Sequence, residues 1–443
     1  MNKHDNTNDN QIVSWLSENG KIMEEEFCKV FTETIHPLLC INGIFIDRNG
    51  IIEDESIIQN EVATMLCEHI KTGVPRRIKD IMEMLRIYCR HDPLPIYEDR
   101  ILLKNGTLFL DGRFVEEKDF CMNRLPINYS TEAKGIPVWT KFINDLFYPE
   151  DIPTVQEYLG NLLIPSTRSQ KMMLIKGDGG EGKSRIGIVL KKIMGANMYS
   201  GALPSLEKSP YSRGQLEFRL LFLDDDLMLS ALPETNNIKT IVTAEAEIDV
   251  ERKYVQNYQT RIYSRLLAFG NGNLRSLYDK SKGFFRRQLI ISTKPVPEGR
   301  ENDPYLADKL CEEAEQIFWW MFAGLKRLIA NNYQYTISER TNRNLTEAMR
   351  EGTNYEDFAE SEGYIEYVPG AKITTEELFE IYKLWCKENA SKVGSYNSLS
   401  GYFKDNKTKY DIQDSNHIKN NKGRYARGFI GIKPCFDPKQ YCY

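Results

Sequence analysis

The chain has 443 residues, of which 41% are apolar and 27% charged. That is a soluble, folded balance in a length that exceeds one ordinary core and suits about two to four units. A formal net charge of −5 excludes a surface coated in basic charge, so any contact with nucleic acid has to come from local clusters. The polar opening MNKHDNTNDN lacks the basic start and apolar run of a secretory signal, and no later apolar stretch reaches membrane-spanning length. A cytoplasmic protein with no membrane contact is therefore expected. The nine cysteines form no C-x-x-C pair, which fits reduced, packed thiols better than a zinc site.

Residues 1–95 carry helix-like spacing, as in Ile78, Ile81, Met82 and Leu85 with Pro75 placed to start that helix, and predict a helical N-terminal domain. Residues 96–165 follow as a hairpin, ILLKNGTLFLDGRF around Asn105-Gly106, and a helical stretch from Val138 to about Leu163. In 166–335, strand-length apolar runs (MMLI, LLFL, RLLAF, QLIIS) alternate with helical or polar segments, and a long helix from Asp308 to Ala330 closes the region. This is the pattern of an α/β domain with a mostly parallel sheet. The charge-rich 336–370 reads as linker. Residues 371–443 open on the capping box Thr374-Thr375-Glu376-Glu377, and a second helix, SYNSLSGYFKD, precedes two strand-like pieces, KYDIQ and YARGFIGIK. Helix, helix and β-wing is the order of a winged-helix domain.

Gly177-Asp178-Gly179-Gly180-Glu181-Gly182-Lys183-Ser184 follows the strand MMLIK and opens the helix RIGIVLKKIMG. That is the context the P-loop (Walker A) pattern G-x-x-x-x-G-K-[ST] requires. Its glycines let the backbone curl so that N–H groups surround a triphosphate, with Lys183 on the β- and γ-phosphates and Ser184 on Mg²⁺. ATP and Mg²⁺ are thus the expected cofactors. Hydrolysis also needs acids at the end of a neighbouring strand, and RLLFLDDD supplies Asp224 for the metal and Asp225 for the attacking water. Asp226 takes the place of Asp225 if the strand ends one residue later.

The order of motifs resembles superfamily 3 helicases, especially the phage and plasmid primase-helicase group related to the poxvirus primase-helicase. The likeness rests on NGTLFLDG at Asn105 to Gly112 with Gln156-Glu157 and Gly160, and on Lys239-Thr240 through Glu251-Arg252-Lys253-Tyr254. It continues with Asn271 in AFGNGNL, then Asp279, Ser281 and Gly283-Phe284-Phe285-Arg286-Arg287. The resemblance implies an AAA+-like ATPase and a hexameric DNA helicase travelling 3′ to 5′. Asn271 is then the sensor that positions water, with Asn273 as its alternative because Leu274 stands where a proline is common. Arg286 or Arg287 serves as an arginine finger reaching the next subunit's ATP. A hairpin carrying Arg252, Lys253 and Tyr254 reaches into the ring's channel.

The residues themselves agree with these assignments. ERKYVQNYQTRIYSR interleaves basic, polar and aromatic side chains, a composition suited to single-stranded DNA. From Lys404 to Lys433, eight Lys or Arg face three Asp, so Lys422, Arg424 and Arg427 are candidates for contact with DNA, including origin duplex. A winged helix also serves as a protein-binding module. The short N-terminal region shows no metal-binding carboxylate motif or cysteine-rich finger, so priming is expected from a separate protein. The expectation is a homohexameric helicase for replication of a phage or mobile genetic element. A non-unwinding ATPase switch, or a loader of another helicase, is the rival.

Overall fold

The computed structural model describes residues 13–131, 135–227, 234–252, 255–272, 282–299, 303–351, 354–389, 391, 393–394, 396–419 and 423–436. They fall into two compact units. The first holds the described residues of 13–227, 235–272 and 286–342, and the second holds 234, 282–285 and those from 343 onward.

The first unit begins with α1 (Glu24–Val30), three short strands β1 (Leu39–Ile41), β2 (Ile44–Asp47) and β3 (Gly50–Ile51), then α2 (Ser56–His69) and α3 (Val74–Tyr88). Pro75 lies in the first turn of α3, where its missing N–H is not needed, and Ile81, Met82 and Leu85 form the buried face. The region expected to be helical is therefore mixed. Its strands escape a helix-period search because they are only two to four residues long, although Asn42 and Gly43, both at positive φ, mark a tight hairpin turn.

The hairpin expected around Asn105 forms as β4 (Arg100–Leu103) and β5 (Gly106–Phe109), flanked by β6 (Phe114–Val115) and β7 (Arg124–Leu125). Two helices follow, α4 (Pro137–Leu146) and α5 (Ile152–Asn161). The second starts anew because Pro153 sits in its first turn.

Next come β8 (Met172–Lys176), α6 (Lys183–Met194), β9 (Met198–Ser200), α7 (Leu203–Lys208), α8 (Pro210–Gly214) and β10 (Leu221–Leu227). They are followed by α9 (Asn236–Thr243), β11 (Ile248–Arg252), β12 (Val255–Thr260), β13 (Arg265–Gly270), α10 (Lys282–Phe285) and β14 (Gln288–Ser292). Five of these strands make one sheet in the order β14-β8-β13-β10-β9, and every neighbouring pair is parallel. β13 lies between β8 and β10, so the segments leaving all three emerge side by side on one edge.

The expected long helix is broken into α11 (Leu306–Glu312) and α12 (Ala314–Ala330). Glu313 at the break accepts hydrogen bonds from the N–H groups of Val138 (3.1 Å) and Trp139 (2.8 Å). It thereby satisfies orphan donors at the start of α4. A close crossing of α5 and α12 depends on Gly160 and Gly324, where a Cβ on either would run into backbone of the other helix. Buried Glu157 on α5 reinforces it, accepting from Arg327 Nε (2.6 Å) and the Thr336 N–H (2.7 Å). One continuous core runs from Ile101 of the hairpin through the sheet to Leu328 of α12.

The stretch expected as linker carries α13 (Glu339–Glu351), α14 (Tyr355–Glu360) and the first part of β15 (Ile365–Thr374). On α13 the buried positions include Thr341, Asn344 and Ala348, so a helix with a polar or small inner face lacks the apolar stripe by which helices are read. In the second unit α15 (Thr375–Glu388), α16 (Tyr396–Asp405) and α17 (Lys407–Tyr410) precede β16 (Gln413–Lys419) and β17 (Tyr425–Pro434). The capping box forms as expected, with the Thr374 hydroxyl accepting from the Glu377 N–H at 3.1 Å. The strand expected at KYDIQ starts only at Gln413, because Lys407–Tyr410 completes a helical turn closed by Asp411 at φ 50°. β15, β17 and β16 pair antiparallel in that order over a core that includes Leu378, Tyr382, Trp385, Phe403 and Phe429.

Among the described residues no helix is long and apolar enough to cross a membrane. Their eight cysteines are free thiols, five of them buried, and burial pushes Cys28 and Cys89 up to about 12.

Candidate functional site

The site begins where β8 stops. The Gly177 N–H donates to the carbonyl of Gly270 at 3.1 Å, tying the departing chain to the end of β13. Gly179, Gly180 and Gly182 then take φ of +109°, +82° and +106°, values that strain any residue with a side chain. The loop so made curls over the start of α6, whose first residue is Lys183. A cleft of about 380 Å³ opens there.

Residues 179–185, Asp225, Asp226 and Asn271 line it, and so do Leu306, the first residue of α11, and Asp303 just before that helix. The glycine-rich loop, the acidic strand end and the candidate sensor asparagine, far apart in sequence, thus meet in one cleft. Asp303 and Leu306 have no signal in the sequence, since a lone acid and a leucine in a polar segment carry no motif.

All three aspartates of LLFLDDD lie inside β10. Its register with β13 is regular up to Asp224 opposite Ala268, then slips before Leu227 meets Gly270. That irregularity turns Asp225 and Asp226 outward, the re-aiming that bulges produce. Asp224 is 3% exposed, and its carboxylate accepts from the N–H groups of Leu203 (2.7 Å) and Asp226 (3.2 Å). Burial pushes its carboxyl above the usual range, against those hydrogen bonds and with the neighbouring charges of Asp226 and Asp225. Asp225 and Asp226, not Asp224, border the cleft. An Asp225 oxygen lies 3.9 Å from where a Cβ would stand on Gly187, one helical turn beyond Ser184. Asn271 is exposed, with its amide nitrogen 4.0 Å from the corresponding point on Gly179.

Inside the loop, Lys183 Nζ donates to Glu181 Oε2 at 2.8 Å, while Glu181 Oε1 accepts from the Gly179 N–H at 2.8 Å. Both side chains are buried. Burial works against the charge of Glu181, but the hydrogen bonds from Lys183 and the loop backbone hold its carboxyl below the usual range.

Arg286 and Arg287 precede β14. The register sets Gln288 opposite Met172 and Ser292 opposite Lys176, which leaves the pair at the far edge of the sheet. Five residues of strand separate Arg287 from the cleft's level, about 16 Å. Arg286 is exposed, and its carbonyl accepts from Lys171 Nζ. Burial, and then the charge of Arg286, pull the Lys171 amine below its usual range.

The hairpin expected to meet DNA forms from β11 and β12. Arg252 turns inward, pairing through Nε with buried Glu217 at 2.9 Å and donating through Nη2 to the carbonyl of Gly214. Lys253 and Tyr254 lie outside the described residues, as do Asn273, Leu274, Asp279 and Ser281. In the second unit Arg424 and Arg427 are exposed, and Lys422 lies outside the described residues. Two nearby lysines are neutralised within the unit, Lys407 by Asp414 and Lys409 by Glu356 and Glu360, each at 2.6 Å. Tyr425 is 66% exposed, with Lys419 Nζ 5.9 Å from its ring centre and the His417 ring edge-on at 5.9 Å.

No group of three or more His, Cys, Asp or Glu side chains gathers to hold a metal among the described residues. A divalent ion in this cleft would therefore share its coordination with a bound phosphate, as Mg²⁺ commonly does. The oxygen donors of Ser184 and Asp225 fit that use.

Residues 175–287, which run from β8 to the arginine pair, match the model of a family of unknown function, DUF5906. The A-form apo structure of the NrS-1 C-terminal region superposes with a TM-score of 0.50 at 13% identity, covering 91% of this chain and 98% of that one. A second structure of that region, spanning its residues 305–718, gives 0.49 at 13% identity, with 93% and 100% covered. At such low identity the first of these likenesses shows a shared fold alone.

Proposed function

We propose that the chain is a P-loop ATPase that works as a ring-forming DNA helicase, in the service of replication of a phage or mobile genetic element. One observation carries this reading. Lys183, Ser184, Asp225, Asp226 and Asn271 converge on one cleft at the carboxyl ends of parallel strands, whereas Arg286 and Arg287 stand at the opposite end of the same sheet.

The first half of that arrangement suits phosphoryl transfer to water. The loop's N–H groups and Lys183 cradle the β- and γ-phosphates. When bound, Mg²⁺ neutralises charge on the phosphates, and Ser184 and Asp225 hold it. Asp226 and Asn271 orient the attacking water. Asp224, expected from the sequence to hold the metal, anchors Leu203 and the strand end that presents the other two acids. The second half suits a finger acting in trans, because an arginine about 16 Å from its own cleft has only a neighbour's triphosphate within use. Hydrolysis is then coupled to assembly, as in a homohexamer. In this reading the turn of the β11–β12 hairpin contacts a DNA strand through Lys253 and Tyr254, and Arg252, the last residue of β11, anchors that end of the hairpin on Glu217. The second unit, read as a winged helix, offers Tyr425 and Arg427 as a further DNA contact.

Lys183→Ala should cut ATP hydrolysis by about a hundred- to a thousandfold, the effect of deleting one preorganised charge-stabilising donor. Undiminished hydrolysis by that variant removes the site assignment. A forked-duplex assay tests the motor. ATP-dependent strand separation supports a helicase, and hydrolysis without separation leaves the switch or loader in its place.

A further inference from the structure

Two donors that a bound phosphate would use are already taken by an anion of the chain itself. Glu181 Oε2 holds Lys183 Nζ at 2.8 Å, and Glu181 Oε1 holds the Gly179 N–H at 2.8 Å. The carboxylate lies within the curl of the loop, its Oε1 standing 2.6 Å from where a Cβ would be on Gly177. We propose that Glu181 is a built-in stand-in for a nucleotide phosphate, which seals the cradle when it is empty and must be displaced before a triphosphate can seat. This rests on the reading of the cleft as a nucleotide site.

A buried lysine stripped of its counter-ion is strongly disfavoured. The exchange that avoids this is anion for anion, with the incoming phosphate oxygen taking Lys183 as Glu181 lets go. The displaced carboxylate has somewhere to go. Glu181 also borders a neighbouring cleft of about 470 Å³ whose walls include Lys141 and Lys309 as well as Asp145 and Asp303, and Lys309 is half-exposed, pairing with Asp303 at 2.7 Å. Swinging from one cleft to the other moves the charge from Lys183 into this open, solvent-reached cleft, with Lys141 on its wall.

The consequence is a tax on affinity. Observed binding equals intrinsic binding scaled by the fraction of molecules in which the cradle is open. After hydrolysis the same carboxylate competes with the diphosphate product for Lys183, so it favours release. Glu181 is thus a residue that sets nucleotide affinity and turnover, distinct from the groups that stabilise the reacting phosphate.

The test is equilibrium binding of a fluorescent ADP analogue with Mg²⁺ to the full chain and to Glu181→Gln and Glu181→Ala, each checked by thermal melting. Both folded variants should bind about tenfold more tightly than the parent, the gain expected when a mostly closed state is abolished. Unchanged or weaker binding by a folded variant overturns the stand-in and leaves Glu181 as a brace of the loop. No binding by the parent or by either folded variant instead sinks the nucleotide-site reading itself. If neither variant folds, a structure of the parent with ADP decides. Glu181 Oε2 should then have left Lys183 Nζ, and a carboxylate still bonded to that lysine beside bound phosphate overturns the proposal.

Discussion

Single side chains in this protein are defined as much by what holds them as by their type. His36 is largely buried, its Nδ1 2.6 Å from Glu61 and its Nε2 3.4 Å from Asp47. The bond to Asp47, opposed by burial and joined by Glu61, raises its pKa above the ordinary 6.5. A folded-state value above the unfolded one means that this stabilisation is complete below 6.5 and fades as pH climbs through the raised value. Urea denaturation should therefore show the parent losing more stability than His36→Gln does as the pH rises above 6.5, and parallel losses dismiss the linkage. Glu217, 1% exposed, is a second such hub. It accepts from Asn42 Nδ2 and Arg252 Nε, each at 2.9 Å, and from the Tyr258 hydroxyl. Glu217→Ala leaves the Arg252 guanidinium without its carboxylate and should cost about 3–5 kcal/mol of unfolding free energy. A loss below about 1 kcal/mol would show that solvent reaches the cluster.

At the level of elements, parallel pairing decides what each strand end can do. The carboxyl ends of β8, β10 and β13 share one edge, so acids and an amide placed there by unrelated stretches of sequence line one cleft. The amino end of β14 carries Arg286 to the other edge. Arg286→Ala should keep ADP binding and lose turnover by about a thousandfold, at the lower end of what arginine fingers contribute. Mixing it with Lys183→Ala should restore part of the hydrolysis, because hybrid interfaces pair an intact cleft with an intact arginine. Steady-state assays across mixing ratios check this, and a strictly additive, inactive mixture argues against a finger acting in trans. The slip in register within β10 is an equally local device with a large effect. It exchanges which of three consecutive aspartates face the cleft.

For the whole molecule, a net charge of −5 confines any DNA binding to particular surfaces, and internal ion pairs narrow them further. Arg252, Lys407 and Lys409 look available in sequence, but each is matched to a carboxylate within its own unit. Tyr425 and Arg427 are exposed on β17. In the full chain Tyr425→Ala should weaken binding to single-stranded DNA by about 1–3 kcal/mol, the usual worth of one stacked base. Arg427→Ala should lower the salt slope of binding by about one. Fluorescence anisotropy over a salt series measures both, and wild-type curves for the two variants would reassign the second unit to a protein partner.

Local chemistry alone determined the elements whose signal is carried by neighbouring residues. These include the hairpin at Asn105, the start of α3 at Pro75, the capping box at Thr374, the strands of the parallel sheet and the glycine-rich turn into α6. Each rests on dihedral preference, periodicity or a side chain bonding its own backbone, and those are readable within a few positions. Only the tertiary structure decided strand order, and with it which ends share an edge. The same holds for the turning of Asp224 inward and Asp225 outward, the drawing of Arg252 onto Glu217 and the clasp of Glu181 on Lys183. The reason is physical: these outcomes depend on burial and on partners remote in sequence. Whether a charge meets water, a backbone N–H or an opposite charge is fixed by the packed whole, and identical letters in another setting would face another way.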